Sequence, residues 1–235
     1  HYKWAEMILF EALGGWIATV PELDIKMRLG THCYKHAWHA ELWHKRLPEL
    51  REMNPERLTL PANDAMVRFI EAMTEPEAPE LTIEKLVGVY RVFIPHFISA
   101  YTYHLNNTSE ITDMPTIRSI KFILQDEFDD WREGEMLIQS LLETPEEVDR
   151  AAAHQARLEK IMLEAGGIAG PGDSQVSVPA RFSVAGGEQA AAWSLLGDPA
   201  LAGLVGRAQG AGPGRQRPGG TRGRTGRASP RSTPG

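Results

Sequence analysis

The sequence predicts an all-α protein. Apolar residues recur at three- and four-residue spacing through residues 1–165, no run alternates with period two, and Val, Ile and Thr are nowhere clustered as in a sheet. Each expected helix has its own start and stop signals. Tyr2 to Thr19 carries a stripe of Trp4, Ile8, Leu9, Ala12, Leu13 and Trp16 that stops before Pro21. Asp24 to Arg46 follows after a short turn. A shorter helix spans Asn63 to Met73 between Pro61 and Pro76. Thr82 to Leu105 is a long helix that Pro95 should kink, because proline lacks a backbone donor. Asp113 is placed to cap a helix with Pro115 in its first turn, running to Leu142. Thr144-Pro145-Glu146-Glu147 has the spacing of a capping box and begins a last helix to Ala165.

The loops then set the topology. The turn near Pro21 forces the first two helices antiparallel, and residues 106–112 do the same for the Thr82 and Asp113 helices. Two such hairpins joined by a longer connection, residues 47–81, make an antiparallel four-helix bundle with a crossover and one additional C-terminal helix.

With 235 residues and 42% hydrophobic content, the chain is long enough to bury a substantial core. Its net charge of −6 sums two unlike regions. Residues 206–235 hold nine Gly, seven Arg, four Pro and no acid, so this tail carries +7 and leaves −13 on residues 1–205. Such a composition predicts a disordered tail, preceded by a Gly- and Ala-rich linker, 166–205, with one short helical stretch at Ala190 to Leu196. The tail lacks interleaved aromatics, so weak counterion-release binding to nucleic acid is the most it offers. The lone Cys33 excludes an internal disulfide and a thiolate cluster, and reads as a small buried hydrophobe. No apolar run reaches the 18 residues of a membrane span, and no secretory pattern opens the chain, which points to the cytoplasm. The chain starts at His1 inside a helical pattern, so its first helix is expected to be truncated.

Potential ligands crowd the second helix. His32, His36, His39 and His44 are four of the eight histidines and lie within thirteen residues; positions 32, 36 and 39 share one face. Glu41 and His44 point elsewhere. An imidazole pair spaced by three can present both rings to one iron, zinc, manganese or copper ion. Antiparallel pairing about residue 21 or 22 sets Glu6 opposite Ala37, facing His36 and His39. In the other hairpin Glu127 and Asp130 share a side and lie level with Phe93 and Tyr90. They belong to the acidic run Asp126-Glu127-Phe128-Asp129-Asp130, which would repel itself if turned inward without a cation. Two readings stand at this point: a metal centre, or core histidines hydrogen-bonded to carboxylates such as Glu6. Tyr90, Tyr101 and Tyr103 read as packing residues, as do Trp4, Trp16, Trp38, Trp43 and Trp131.

The segments Leu29-Gly30-Thr31-His32, His36-Ala37-Trp38-His39-Ala40 and Arg46-Leu47-Pro48-Glu49-Leu50-Arg51 resemble the second helix of bacterial ferritin-like proteins. Asp113-Met114-Pro115-Thr116-Ile117-Arg118, followed by Asp126-Glu127, resembles their fourth. The resemblance covers residues 1–142. It implies a dinuclear iron or manganese site with a carboxylate from each of two helices and a Glu-x-x-His pair from each of the others. Carried onto this chain, it assigns His36 and His39, Glu127 and Asp130, and Glu6 as ligands; His32 and His96 are secondary candidates, and His96 and His104 also read as outer partners. Relative to that pattern acid and imidazole have traded helices: position 36 is His and position 130 is Asp. The implied function is O₂-dependent oxidation or hydroxylation of a small organic substrate at iron or manganese. The alternative is a metal-free bundle serving partner binding or self-association, such as a homodimer.

Overall fold

The computed structural model describes residues 1–50 and 54–171. Among them every regular element is helical, and no helix is long and apolar enough to cross a membrane. The linker from 172 onward, the expected helix at Ala190 to Leu196 and the basic tail lie outside the described residues.

Helix α1 (Tyr2–Thr19) buries Ala5, Leu9, Ala12, Leu13 and Trp16 along one stripe. It stops because Pro21 disfavours helical geometry at the residue before it, and Val20 is extended. Helix α2 (Leu23–Leu50) buries Ile25, Leu29, His32, His36, His39, Ala40 and Trp43. It passes Arg46, where the sequence signals an end, because Pro48 falls in the last turn and forfeits only one backbone bond. The two helices pack antiparallel along their length: the Cys33 thiol lies 3.5 Å from the Phe10 carbonyl, and Lys3 Nζ lies 3.0 Å from His44 Nδ1. Cys33 is only partly buried, because it sits at the edge of this seam.

The connection is not featureless. Asn54 caps a one-turn helix, α3 (Pro55–Leu58), and Asn63 caps α4 (Asp64–Thr74) by accepting from the Met66 N–H at 3.0 Å. A 3₁₀ turn at Pro79–Leu81 then leads into the core rod of the molecule. This rod is α5 (Thr82–Leu86), a π-helical stretch Val87–Phe93, and α6 (Ile94–Asn107). The expected irregularity at Pro95 takes the form of this wide stretch, which ends just before the proline with the Ile94 N–H bonded to the Val89 carbonyl five residues back. Nearly every side chain from Thr82 to Tyr101 is buried, as expected for a helix that is apolar all round.

Helix α7 (Met114–Leu141) returns alongside the rod. Asp113 stands at its N-cap, but its carboxylate makes no cap bond, because it is claimed by the Arg46 guanidinium at 2.9 Å and the Thr108 hydroxyl at 2.8 Å. The side chains of rod and α7 meet away from the levels of their backbones: the Tyr90 ring covers Gly134, and Arg91 reaches Glu135. Long side chains lean toward the N-terminus of their own helix, and in an antiparallel pair this shifts both contacts about one turn.

Helix α8 (Pro145–Ala165) begins with the expected Thr144/Glu147 capping box and ends at Gly166 in the left-handed region, φ 73°. It packs on α4 and on the rod, with Leu158, Met162 and Ala165 fully buried. Residues 166–171 then fold back rather than leave the helix as a linker: Ile168 is buried, and the Asn63 amide donates to the Ala165 carbonyl at 2.8 Å.

A Cβ added at Gly134 would stand 2.0 Å from Tyr90 Cγ, so the ring or the helix would have to move. Gly134→Ala is expected to destabilise the fold by about 1–3 kcal/mol through overpacking. Urea denaturation of the variant beside the parent protein checks this, and an unchanged midpoint would show that the two helices yield freely.

Candidate metal centre

The registry of α1 on α2 brings one carboxylate to the histidine face. Glu6, His32, His36 and His39 are all 0% exposed, whereas Glu41 is exposed and His44 is half-buried against Lys3. Across the core, α7 contributes Glu127 and Asp130, also 0% exposed, three residues apart and therefore on one side of the helix. Each of Glu6, His36, His39 and Glu127 offers one ligand atom, and these four atoms lie within 4.8 Å of one another.

The contacts inside the group are short. His36 Nδ1 is 2.7 Å from Glu6 Oε2 and 3.6 Å from Glu127 Oε1. His39 Nδ1 is 3.5 Å from each of the same two oxygens. Asp130, the fifth expected ligand, stands outside this foursome. Its Oδ2 is 4.0 Å from His36 Nε2, while its Oδ1 takes the Lys35 ammonium and lies 3.3 Å from His32 Nε2. His32 is fixed at both ring nitrogens, by the Tyr90 hydroxyl at 2.7 Å and Glu133 at 3.1 Å. His96 is far from this arrangement in partnership, hydrogen-bonded at 3.0 Å to Glu159 on α8, because its face of the rod is the one α8 covers. His104 lies near Asp113, 3.7 Å away, at the far end of the rod.

Several neighbours were not legible as site residues. The Tyr101 hydroxyl donates to Glu6 Oε1 at 2.7 Å and accepts from the Trp43 indole N–H at 3.0 Å, so this tyrosine orients the carboxylate besides packing the core. Asp126 holds His39 Nε2 at 3.1 Å, which leaves Nδ1 directed at Glu6 and Glu127. Asp126 could be found only as part of an acidic run, and nothing in the sequence linked Tyr101 to Glu6.

The electrostatics follow from the burial. Burial pushes the Glu6 carboxyl up, but His39 and His36 outweigh it and hold it at about 2. Burial pushes His39 down, yet Glu6, Asp126 and Glu127 raise it to about 12. His36 is likewise raised by Glu127 and Glu6 against its burial. Glu127 is pushed up by burial, and Asp130 reaches about 6 for the same cause. His32 is held down at about 4 by burial. Despite this pairing, His36 Nε2, His39 Nδ1, both Glu127 oxygens and Asp130 Oδ2 have no hydrogen-bond partner. Each such buried atom costs on the order of 1–3 kcal/mol. Imidazole nitrogens and carboxylate oxygens left facing one another are a donor set suited to a divalent first-row ion.

In the metal-free protein, Glu6 titrates near 2 when folded and near its ordinary 4.5 when unfolded. The unfolded chain therefore binds the extra proton, and the stability contributed by Glu6 is full above pH 4.5 and lost as pH falls toward 2. His39 has the opposite sign: its contribution is full below pH 6.5 and declines as pH rises toward 12. Thermal melts of metal-stripped protein should show both limbs, and Glu6→Gln should flatten the acid limb. A Glu6→Gln profile parallel to that of the parent below pH 4.5 would contradict the ion pair. A scan against family models, a search of curated proteins and a search of solved structures each return no significant match to this chain.

Proposed function

We propose that this protein is a ferritin-like helical bundle that holds a divalent transition-metal ion, iron or manganese, between Glu6, His36, His39 and Glu127 and uses it in O₂-dependent oxidation of a small organic substrate. One observation carries the reading: four fully buried side chains of ligating type, from three helices, converge within 4.8 Å while several of their donor atoms lack partners. The bundle assignment is supported by two antiparallel pairs, α1 with α2 and α6 with α7, whose facing sides supply every member of the group.

A bound iron or manganese ion would supply the one-electron redox changes that dioxygen chemistry needs. The protein's own groups have definable tasks. Glu6 and Glu127 neutralise the ion's charge, and the two imidazoles release their protons as it binds. The Tyr101 hydroxyl fixes the rotamer of Glu6. Asp126 fixes the orientation of His39 and raises its basicity, as carboxylates behind ligating histidines do. The 0% exposure of all four side chains excludes bulk water.

Protein produced in iron-supplemented medium should contain bound transition metal, and His39→Ala should lose it. Asp126→Asn, which removes only the outer partner, should weaken binding by about 10–100-fold. Ferrous-loaded protein should consume dioxygen on exposure to air, and Glu127→Gln should not. Metal analysis returning below about a tenth of an equivalent would leave the cluster as a buried ionic network and overturn the reading.

A further inference from the structure

Beside the foursome lies a second group of acids and imidazoles on α2 and α7: Asp130, Glu133, His32 and the Nε2 side of His36. His36 is shared, because its Nδ1 faces Glu6 and its Nε2 faces Asp130 Oδ2 at 4.0 Å. Both His36 Nε2 and Asp130 Oδ2 are fully buried and without a hydrogen-bond partner. These are the elements of a second cation position. A cation already occupies it. Lys35, one residue before His36, reaches over the helix shoulder and places its ammonium on Asp130 Oδ1, with Asp126 Oδ1 3.9 Å away. Its side chain is 21% exposed, so the stem is largely covered and the charged head is turned inward.

We infer that the Lys35 ammonium serves as the second cation of this centre, so that the site takes one metal ion and Asp130 is withheld from it. The inference rests on the metal-binding reading above. The position of the ammonium carries it, on Asp130 Oδ1 and 3.9 Å from Asp126 Oδ1. Arg28 pairs with Glu133 at 3.1 Å, which leaves Glu6, Asp126, Glu127 and Asp130 to be neutralised. One divalent ion and one ammonium supply three positive charges against these four, and a second divalent ion beside the ammonium would make five. A second divalent ion would press directly on the ammonium at Asp130, a like-charge contact beside a carboxylate that is 0% exposed. Lysine suits the role because its head is a compact point charge on a flexible stem, with donors that can turn to more than one carboxylate.

The test is metal stoichiometry in the full chain with Mn(II) as the probe. The parent protein should bind one equivalent and give the six-line electron paramagnetic resonance spectrum of an isolated ion. Lys35→Met should free Asp130 and take two equivalents, with an exchange-coupled spectrum, while Lys35→Arg should stay at one. Two equivalents or a coupled spectrum in the parent protein would overturn the inference and leave the metal reading intact. So would one equivalent in a Lys35→Met protein with a helical circular dichroism spectrum. Should that variant not fold, the parent spectrum decides alone. Binding of no ion by the parent protein would instead overturn the metal reading itself.

Discussion

The rest of this structure is arranged around a carboxylate that has no access to water. Glu6 sits on the core face of α1, and a bare charge there would cost several kcal/mol in the interior of a protein. His36 and Tyr101 take one oxygen each, at 2.7 Å, and thereby tie α1 to α2 and to the rod. Satisfying Glu6 with imidazole creates the next demand, because the raised histidines need acids of their own. Glu127 and Asp126 on α7 meet it. The chain of demands ends at the protein margin, where Glu133 meets Arg28 and the solvent. The polar centre thus specifies which faces of three helices must meet, a task that apolar packing alone performs loosely.

Apolar surroundings make the arrangement rigid. Trp43 stacks on Tyr101, with ring centroids 5.9 Å apart, and Tyr2 closes over both. Phe93, Phe97 and Tyr101 follow one another along the rod at 5.2 and 5.4 Å. Rings in such a file have little room to rotate, so the Tyr101 hydroxyl is delivered to Glu6 from a fixed direction. On the far side α8 covers the rod, and His96 Nε2 pairs there with Glu159 Oε2. The covering helix is as much a part of the core as the four helices the loops predict.

What could be read from the sequence was what depends on periodicity and on short loops. The helices, the inward face at His32, His36 and His39, and the pairing of Glu6 with that face all follow from 3.6-residue spacing and a tight turn at Pro21. What could not be read depends on side-chain reach or on contacts between distant segments. Tyr90 and Arg91 lean a full turn away from the level their backbones occupy. Asp113 carries a capping signal, but Arg46, 67 residues earlier, claims it. Nothing in the spacing links Lys35 to Asp130, 95 residues further on. Pro95 announces a disturbance without saying that its form is a π-helical stretch.

That stretch has a consequence for how the chain tolerates insertions and deletions. A π turn carries about one residue more than an α turn of the same span, so it behaves as an insertion absorbed inside a helix. Deleting one residue between Val87 and Phe93 would let the rod wind as continuous α-helix with both flanks in their present phase, and would re-aim only the residues inside the stretch. Tyr90 would then leave His32, and Gly88 would no longer face Met73 and Leu158. The extra residue is therefore kept by the contacts of side chains inside the stretch itself. Length changes in this segment should therefore be rarer among functional variants than in the connection between α2 and α4.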